Sequence, residues 1–462
     1  MPQQIREPSA GEREGEPLAR REPSAGEREG EPLARREPSA GEREGEPLAR
    51  RDPLVPRHAE AEIRKALSDT RIVAIVGPRQ SGKTTLARGI AQADDRAFLT
   101  LDNEQDRRFA LDDPLGFVRG HAALVIDEIQ RAPDLILALK QAVDEDPRPG
   151  RFLITGSVDL FKGSISPDSL AGRVETVELL PFSQAEIARA RRSRFLDRAF
   201  ADDFPAFTTT GVTPDLIDRV LAGGFPEAVS RGAPDRRNAW LRAYARSLAQ
   251  RDIAEIAAIG KHVELSRLID HAAVSVGTLL NMANLGSRLN VDGKTVDRWL
   301  TLLEQMFLVR RIRAWHRSDL KRLVRTPKLH FLDSGLLAAL RRNRAVDIGT
   351  DRRDLGALLE CFVHAELAKA VALADEPTAI YHYRDKDRIE VDFVLERSPG
   401  MIVGIEVKAA ATVRPEDFRG LRRLKDAVGD LFACGILLHD GERIQRTAQG
   451  LLAMPVNALW NA

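Results

Sequence analysis

Residues 72–84 read Ile-Val-Ala-Ile-Val-Gly-Pro-Arg-Gln-Ser-Gly-Lys-Thr, and no other stretch restricts the fold as strongly. Ile72 to Val76 is a short apolar run rich in β-branched residues, the pattern of a buried strand. Gly77-Pro78-Arg79-Gln80-Ser81-Gly82-Lys83-Thr84 follows at once and fits G-x-x-x-x-G-K-[ST]. Thr85 to Ala91 then continues with helical character. Strand, glycine loop and helix in that order predict an α/β fold built on a parallel sheet. The glycines let backbone N–H groups turn inward at a helix N-terminus, where the dipole favours phosphate. Gly77 to Thr85 are therefore the candidate nucleotide-binding residues. Lys83 is placed to reach the β- and γ-phosphates, and the Thr84 hydroxyl to hold Mg²⁺.

Ala122 to Ile126 is a second apolar run, and it ends in Asp127-Glu128. An acid at a strand end beside a phosphate loop suits Mg²⁺, so Asp127 is a candidate metal ligand. Phosphoryl transfer needs a positioned water and charge neutralisation. Glu128 is the candidate to polarise that water, which points to ATP hydrolysis. A third apolar strand, Phe152 to Thr155, ends in Gly156-Ser157. Beside the acid-ended strand it resembles the sensor-1 strand of AAA-type ATPases, which implies that Ser157 or Thr155 contacts the γ-phosphate or the water. Ser169-Leu170-Ala171-Gly172-Arg173 follows, and Arg173 is a candidate arginine finger, in cis or from a neighbouring subunit of a homo-oligomer.

The length of 462 residues suggests about three domains. A net charge of +1 names no partner, and two cysteines, Cys361 and Cys434, form neither a metal motif nor a disulfide framework. No apolar run approaches the span of a membrane helix, and the N-terminus lacks a secretion signal. A cytoplasmic protein is the expectation.

The sequence divides into five expected regions. Residues 1–50 hold three identical copies of Arg-Glu-Pro-Ser-Ala-Gly-Glu-Arg-Glu-Gly-Glu-Pro-Leu-Ala-Arg, at 6–20, 21–35 and 36–50. Leu is the only large apolar residue in each copy, too little to offset ordering entropy, so a disordered tail is expected. It reads either as a functional tail, or as a neutral duplication or sequence upstream of the true start. Residues 51–190 are the expected nucleotide-binding core, entered by a helix carrying Ile63 and Leu67. Residues 191–275 read as a mostly helical lid broken by Gly223-Gly224-Phe225-Pro226, with Arg251 as a weak candidate for a sensing arginine. Residues 276–345 read as a winged helix-turn-helix, with helices Leu279 to Leu289 and Thr295 to Phe307 and strands from Val309 and Lys328. Eight basic residues and one acid lie between Arg310 and Lys328, an expected footprint for DNA.

In residues 346–462, Ile389-Glu390-Val391-Asp392-Phe393 and Ile405-Glu406-Val407-Lys408 alternate with period two about a turn at Arg397 to Gly400. A hairpin follows, with Glu406 and Lys408 on one face of a strand. Upstream, Leu355 to Ala374 reads as a helix carrying Glu360. The set resembles the D…E-x-K core of PD-(D/E)xK nucleases. That resemblance implies Asp392, Glu406 and Glu360 as candidate ligands for one or two Mg²⁺ ions, and Lys408 in a catalytic role in cutting DNA. A nuclease-like scaffold without activity, serving a nucleotide-gated regulatory protein with a protein partner, is the alternative.

Taken together, VGPRQSGKTT, VIDEIQRAP, LITGS, SLAGR, GGFPEAV, RTPKLHFLDSGL, EVDFVLE and GIEVKAA resemble the bacterial and archaeal AAA-type ATPases with a C-terminal domain of unknown function. The resemblance covers about residues 55–455. It implies ATP and Mg²⁺ as cofactors. The G-x-P element resembles one in the helical lid of signal-transduction relatives, which implies that Phe225 and Pro226 lie near the adenine.

Overall fold

The run Ile72–Val76 forms an interior strand (β1) of a five-stranded parallel sheet, with every residue buried. The sheet order is β2 (Ala97–Thr100), β3 (Leu124–Asp127), β4 (Phe152–Gly156), β1, β5 (Val174–Glu178). Alternation explains the layering. Ile72, Ala74, Leu124, Ile126, Phe152 and Ile154 pack into one apolar cluster, while Val73, Ile75, Val125 and Leu153 pack into another on the opposite face. Helices Ala59–Asp69 and Lys83–Ala93 cover the second face, and Leu135–Glu145 covers the first. Ile63 and Leu67 of the entry helix are buried there, as their spacing predicts.

The computed structural model describes residues 54–157, 170–205, 207–209, 215–249, 262–318, 322, 326–398 and 400–461. The triple repeat, Ser169 and Arg251 lie outside these residues, as do Asp319, Lys321 and Arg325 of the basic stretch.

Beyond the first sheet, helices Leu216–Ala222 and Pro234–Ser247 flank the Gly223-Gly224-Phe225-Pro226 break. Helices His262–Val274, Met282–Leu289 and Gly293–Gln305 precede an antiparallel hairpin, β7 (Val309–Ile312) with β8 (Lys328–Phe331). Val296, Trp299, Leu300 and Leu303 form the buried stripe expected of the last helix. Helix Leu355–Ala372 then leads into a seven-stranded mixed sheet. Its order is β6 (Phe207–Thr209), β13 (Arg443–Arg446), β14 (Leu452–Pro455), β12 (Phe432–His439), β11 (Met401–Lys408), β10 (Glu390–Arg397), β9 (Thr378–Arg384). The expected β10–β11 hairpin is present, with Phe393 opposite Ile405.

Three features depart from the sequence reading. Strand β6 leaves the helical segment and pairs antiparallel with β13, so the second sheet borrows an edge from residues far upstream. One apolar core also draws on residues from Ala185 to Trp460. The β7–β8 hairpin is also embedded rather than projecting, because all of β8 is buried. Finally, four of the eight basic residues in the stretch are neutralised from within. Arg310 pairs with Glu178, Arg311 with Asp297 and Glu304, and Arg322 with Glu396. Lys328 is buried among carboxylates. These four charges, already paired and desolvated, are poorly placed to neutralise phosphates.

Asp333 joins the two halves. Buried after β8, it accepts the Gly224 N–H at 2.7 Å through Oδ2 and caps helix Ser334–Arg341 by accepting the Leu336 N–H at 2.8 Å through Oδ1. Burial pushes its carboxyl above the usual range, and these N–H donors pull it back.

Candidate functional site

The loop after β1 folds as its glycines dictate. A Cβ on Gly77 would sit 2.2 Å from the Leu179 carbonyl oxygen, so only glycine allows that close approach. Gly82 adopts φ +94°, a left-handed turn into helix Lys83–Ala93. Arg57 braces the loop from beneath, donating to the Ser81 and Leu180 carbonyls at 2.6 Å each and pairing with Glu186 at 3.0 Å. Ser81 is fully buried there.

Lys83 is 4% exposed, and its ammonium donates to the Gly77 and Pro78 carbonyls at 3.0 and 2.8 Å. Burial lowers its pKa to about 8 against the pull of Glu128 and Asp127. An ammonium held by neutral carbonyls is available to an incoming phosphate.

Asp127, at the end of β3, gathers three hydroxyl donors. They are Thr84 Oγ1 at 2.9 Å, Thr155 Oγ1 at 2.6 Å and Thr100 Oγ1 at 3.1 Å. Thr84 and Asp127 therefore share one point at the loop's mouth. A hydroxyl and a carboxylate oxygen together suit Mg²⁺, which prefers hard oxygen donors. Thr155 also accepts the Glu128 N–H at 3.1 Å, so β4 fixes both acids. Glu128 itself takes a left-handed conformation, φ +58° and ψ +46°, rare for a non-glycine residue. The turn aims its carboxylate across the sheet end. Oε2 accepts there from Ser157 Oγ at 3.2 Å and from Gln130 Nε2, and Gln130 also donates to Ser157 at 2.9 Å.

A cavity of about 350 Å³ lies above these groups, lined by Arg79, Gln80, Gly82, Lys83, Thr84, Thr85, Asp102, Glu128, Arg131, Pro226 and Glu227. Its size is ordinary for a small-molecule site. Arg131 meets Asp102 across it at 2.7 Å. Pro226 reaches the cavity, but Phe225 does not. Its ring is buried against Tyr244 and Trp240, with centroids 4.9 and 6.1 Å away, so Phe225 is core rather than an adenine contact. Tyr244 in turn donates to the Arg79 carbonyl at 3.1 Å, tying this aromatic cluster to the loop.

Arg173 needs a second correction. It precedes β5, and its carbonyl accepts the Ile72 N–H at the start of β1. It therefore sits at the opposite edge of the sheet from Gly77, roughly 15 Å away along five strand residues. Its guanidinium pairs with Asp144 at 2.6 Å. A finger in cis is excluded by this placement.

Sequence reasoning missed Gln130, Thr100, Arg57 and Arg131. Gln130 and Arg131 stand inside the VIDEIQRAP motif, where polar residues beside the strand-end acids are the available signal. Thr100 needs the strand order to be recognised, since only the neighbouring β2 puts it against Asp127.

The second constellation also assembles. Glu360, Asp392, Glu406 and Lys408 converge from helix Leu355–Ala372, β10 and β11. Asp392 accepts the Val407 N–H at 3.0 Å, and Lys408 donates to Glu406 at 2.8 Å. Burial, then the charge of Asp392, pushes Glu360 up to about 8 and Glu406 up to about 7. Lys328 and Glu390 join them, neither expected from the sequence.

A parallel sheet of this order, with a glycine loop, a buried lysine and paired strand-end acids at one edge, defines a P-loop nucleotide-binding protein of the AAA type. The chain matches the AAA domain family over residues 69–188 and two domains of unknown function, DUF8612 over 213–347 and DUF4143 over 355–459. Two curated relatives, uncharacterized proteins of Mycobacterium tuberculosis and Mycobacterium bovis, are each 30% identical over 413 residues. Each match covers 87% of this chain and 84% of the relative. The chain belongs to their family. Among solved structures, the Walker-type ATPase of Pyrococcus abyssi matches at 15% identity and a TM-score of 0.39, over 64% of this chain and 98% of that one. No helix among the described residues is long and apolar enough to cross a membrane.

Proposed function

We propose that this protein is a Mg²⁺-dependent ATPase whose nucleotide state is passed to a C-terminal module. The observation that carries this reading is the joint placement of Thr84, Asp127, Thr155, Glu128 and Lys83 at one edge of the parallel sheet. Thr84 and Asp127 would hold Mg²⁺, which when bound neutralises charge on the phosphates. Lys83 leaves the Gly77 and Pro78 carbonyls for the β- and γ-phosphates. Glu128 orients the attacking water and accepts its proton. Gln130 and Ser157 fix the Glu128 carboxylate, so its pose is set before substrate arrives. Pro226 borders the nucleotide cavity from the lid.

The test is Glu128→Gln, which keeps the shape and removes the base. The variant should bind ATP like the parent and lose hydrolysis by about 10²-fold or more. Parental turnover would assign the base elsewhere.

Helices Met282–Leu289 and Gly293–Gln305 with the β7–β8 hairpin have the order of a winged helix, and the second sheet with Asp392, Glu406 and Lys408 resembles the PD-(D/E)xK fold. The internal pairing of Arg310, Arg311, Arg322 and Lys328 favours the scaffold reading of this module over a DNA-cutting one. Its output is then contact with a protein partner, gated by nucleotide. Plasmid DNA incubated with Mg²⁺ or Mn²⁺, with and without ATP, should remain uncut. Metal-dependent nicking that Asp392→Ala abolishes would restore the nuclease reading.

A further inference from the structure

The nuclease-like fold implies a divalent metal between Asp392, Glu406 and Glu360. The side chains present do not fit one. The Lys328 ammonium stands at the focus of this cluster, 3.3 Å from Glu390 Oε2, 3.6 Å from Asp392 Oδ1 and 3.7 Å from Glu360 Oε1. Its side chain is only 3% exposed. The backbone holds it there from two sides. Lys328 opens β8 opposite Ile312 and also bridges to Leu279. Those pairings fix its Cα beside the cluster, and the buried stem points into it.

The surroundings favour a cation. Four carboxylates, Glu360, Glu390, Asp392 and Glu406, lie together, and isolated buried carboxylates are costly. Lys408 serves Glu406, and Arg384 serves Glu390 at 2.7 Å. The carboxylates Glu360 and Asp392 have Lys328 as their shared cation. His330, two residues on, lies 3.5 Å from Glu360, but burial drives its pKa far down, so it adds no charge. A divalent ion needs carboxylate oxygens at about 2.0–2.6 Å around one point. Among the described residues, no group of three or more His, Cys, Asp or Glu side chains is arranged to hold a metal ion.

We infer that Lys328 is the resident cation of this carboxylate cluster and bars divalent metal from it. The cluster is thereby a structural charge centre that joins β8, β10 and helix Leu355–Ala372. This inference rests on the scaffold reading of the C-terminal module but is separable from it, since metal uptake and DNA cleavage are different measurements.

The test is Mn²⁺ titration of the full, nucleotide-free chain, followed by loss of the free-ion EPR signal. The parent should show no Mn²⁺ site that Glu406→Gln removes, up to about 1 mM, the weak end of carboxylate cation sites. Lys328→Met keeps the length of the stem and deletes the charge. It should gain one Mn²⁺ per chain, at least about tenfold tighter than anything in the parent, which corresponds to about 1.4 kcal/mol. That gain should vanish in Lys328→Met/Glu406→Gln. A Mn²⁺ site in the parent that Glu406→Gln abolishes overturns the inference. So does a Lys328→Met protein with a native melting transition and no gained site. Should Lys328→Met not fold, the comparison of parent with Glu406→Gln decides alone.

Discussion

Replacing Asp333 tests whether the lid and the C-terminal half are joined as described. Two buried backbone N–H groups, of Gly224 and Leu336, end on this one carboxylate. Asp333→Ala removes a helix cap, worth about 1 kcal/mol. It also strands the Gly224 N–H in the interior, at about 1–3 kcal/mol. The expected total is about 2–4 kcal/mol, as the sum of those two contributions. Asp333→Asn separates them. Its carbonyl oxygen can keep the Leu336 bond, but its NH₂ then faces the Gly224 N–H, donor against donor. It should lose about 1–3 kcal/mol, the Gly224 contribution alone. Urea unfolding followed by fluorescence of Trp299 and Trp315, both buried, gives the midpoint shifts. Gly224 is two residues from Pro226 in the cavity wall, so Asp333→Asn should also weaken binding of a non-hydrolysable ATP analogue. If both variants fell within about 0.5 kcal/mol of the parent, the level of an ordinary surface change, the link would carry no load.

Gln130→Ala should lower ATP turnover with little change in nucleotide affinity, because it frees the Glu128 carboxylate without touching the loop; steady-state kinetics showing a raised KM and unchanged kcat would count against this. Lys83→Ala should lose ATP binding, read by fluorescent-nucleotide titration, since it deletes the phosphate's counter-charge. Lys83 without nucleotide loses its proton near pH 8, and phosphate requires the ammonium. Analogue affinity should therefore be flat below about pH 8 and fall by up to about tenfold per pH unit above it, and a flat profile to high pH would contradict the buried-lysine account. Glu360 has a folded pKa raised above its unfolded value, so its contribution to stability is full below about pH 4.5 and is lost as pH rises through about 8. Glu360→Gln, neutral throughout, should flatten the fall of melting temperature across that window, and parallel parent and variant profiles would refute it.

The nucleotide edge was legible because its information is local. One run from Ile72 to Thr84 contains strand, loop and helix start, and Asp127-Glu128 closes another apolar run. The β10–β11 hairpin and its facing residues were legible for the same reason, since period two and a turn fix which side chains share a face. What failed was non-local. Phe225 looked like a cavity residue until Trp240 and Tyr244 were seen to bury it. Arg173 looked like a finger in cis until the parallel register put it at the far end of the strands from Gly77. Lys328 looked like one more charge in a basic run. Its acidic neighbours lie 32, 62 and 64 residues on, at Glu360, Glu390 and Asp392, a separation no local pattern reports.

The short strand β6 has a practical consequence. Family boundaries near residues 188, 213, 347 and 355 invite cutting the gene into a P-loop fragment and a C-terminal fragment. A fragment starting near 355 would lack Phe207–Thr209, leaving the ladder of β13 open to pair with another chain. It would also lack the helices between Phe195 and Ala249 that share its core. Aggregation of such a piece would say nothing about its activity. Point substitutions in the intact chain, rather than truncations, are the way to assign work to either half.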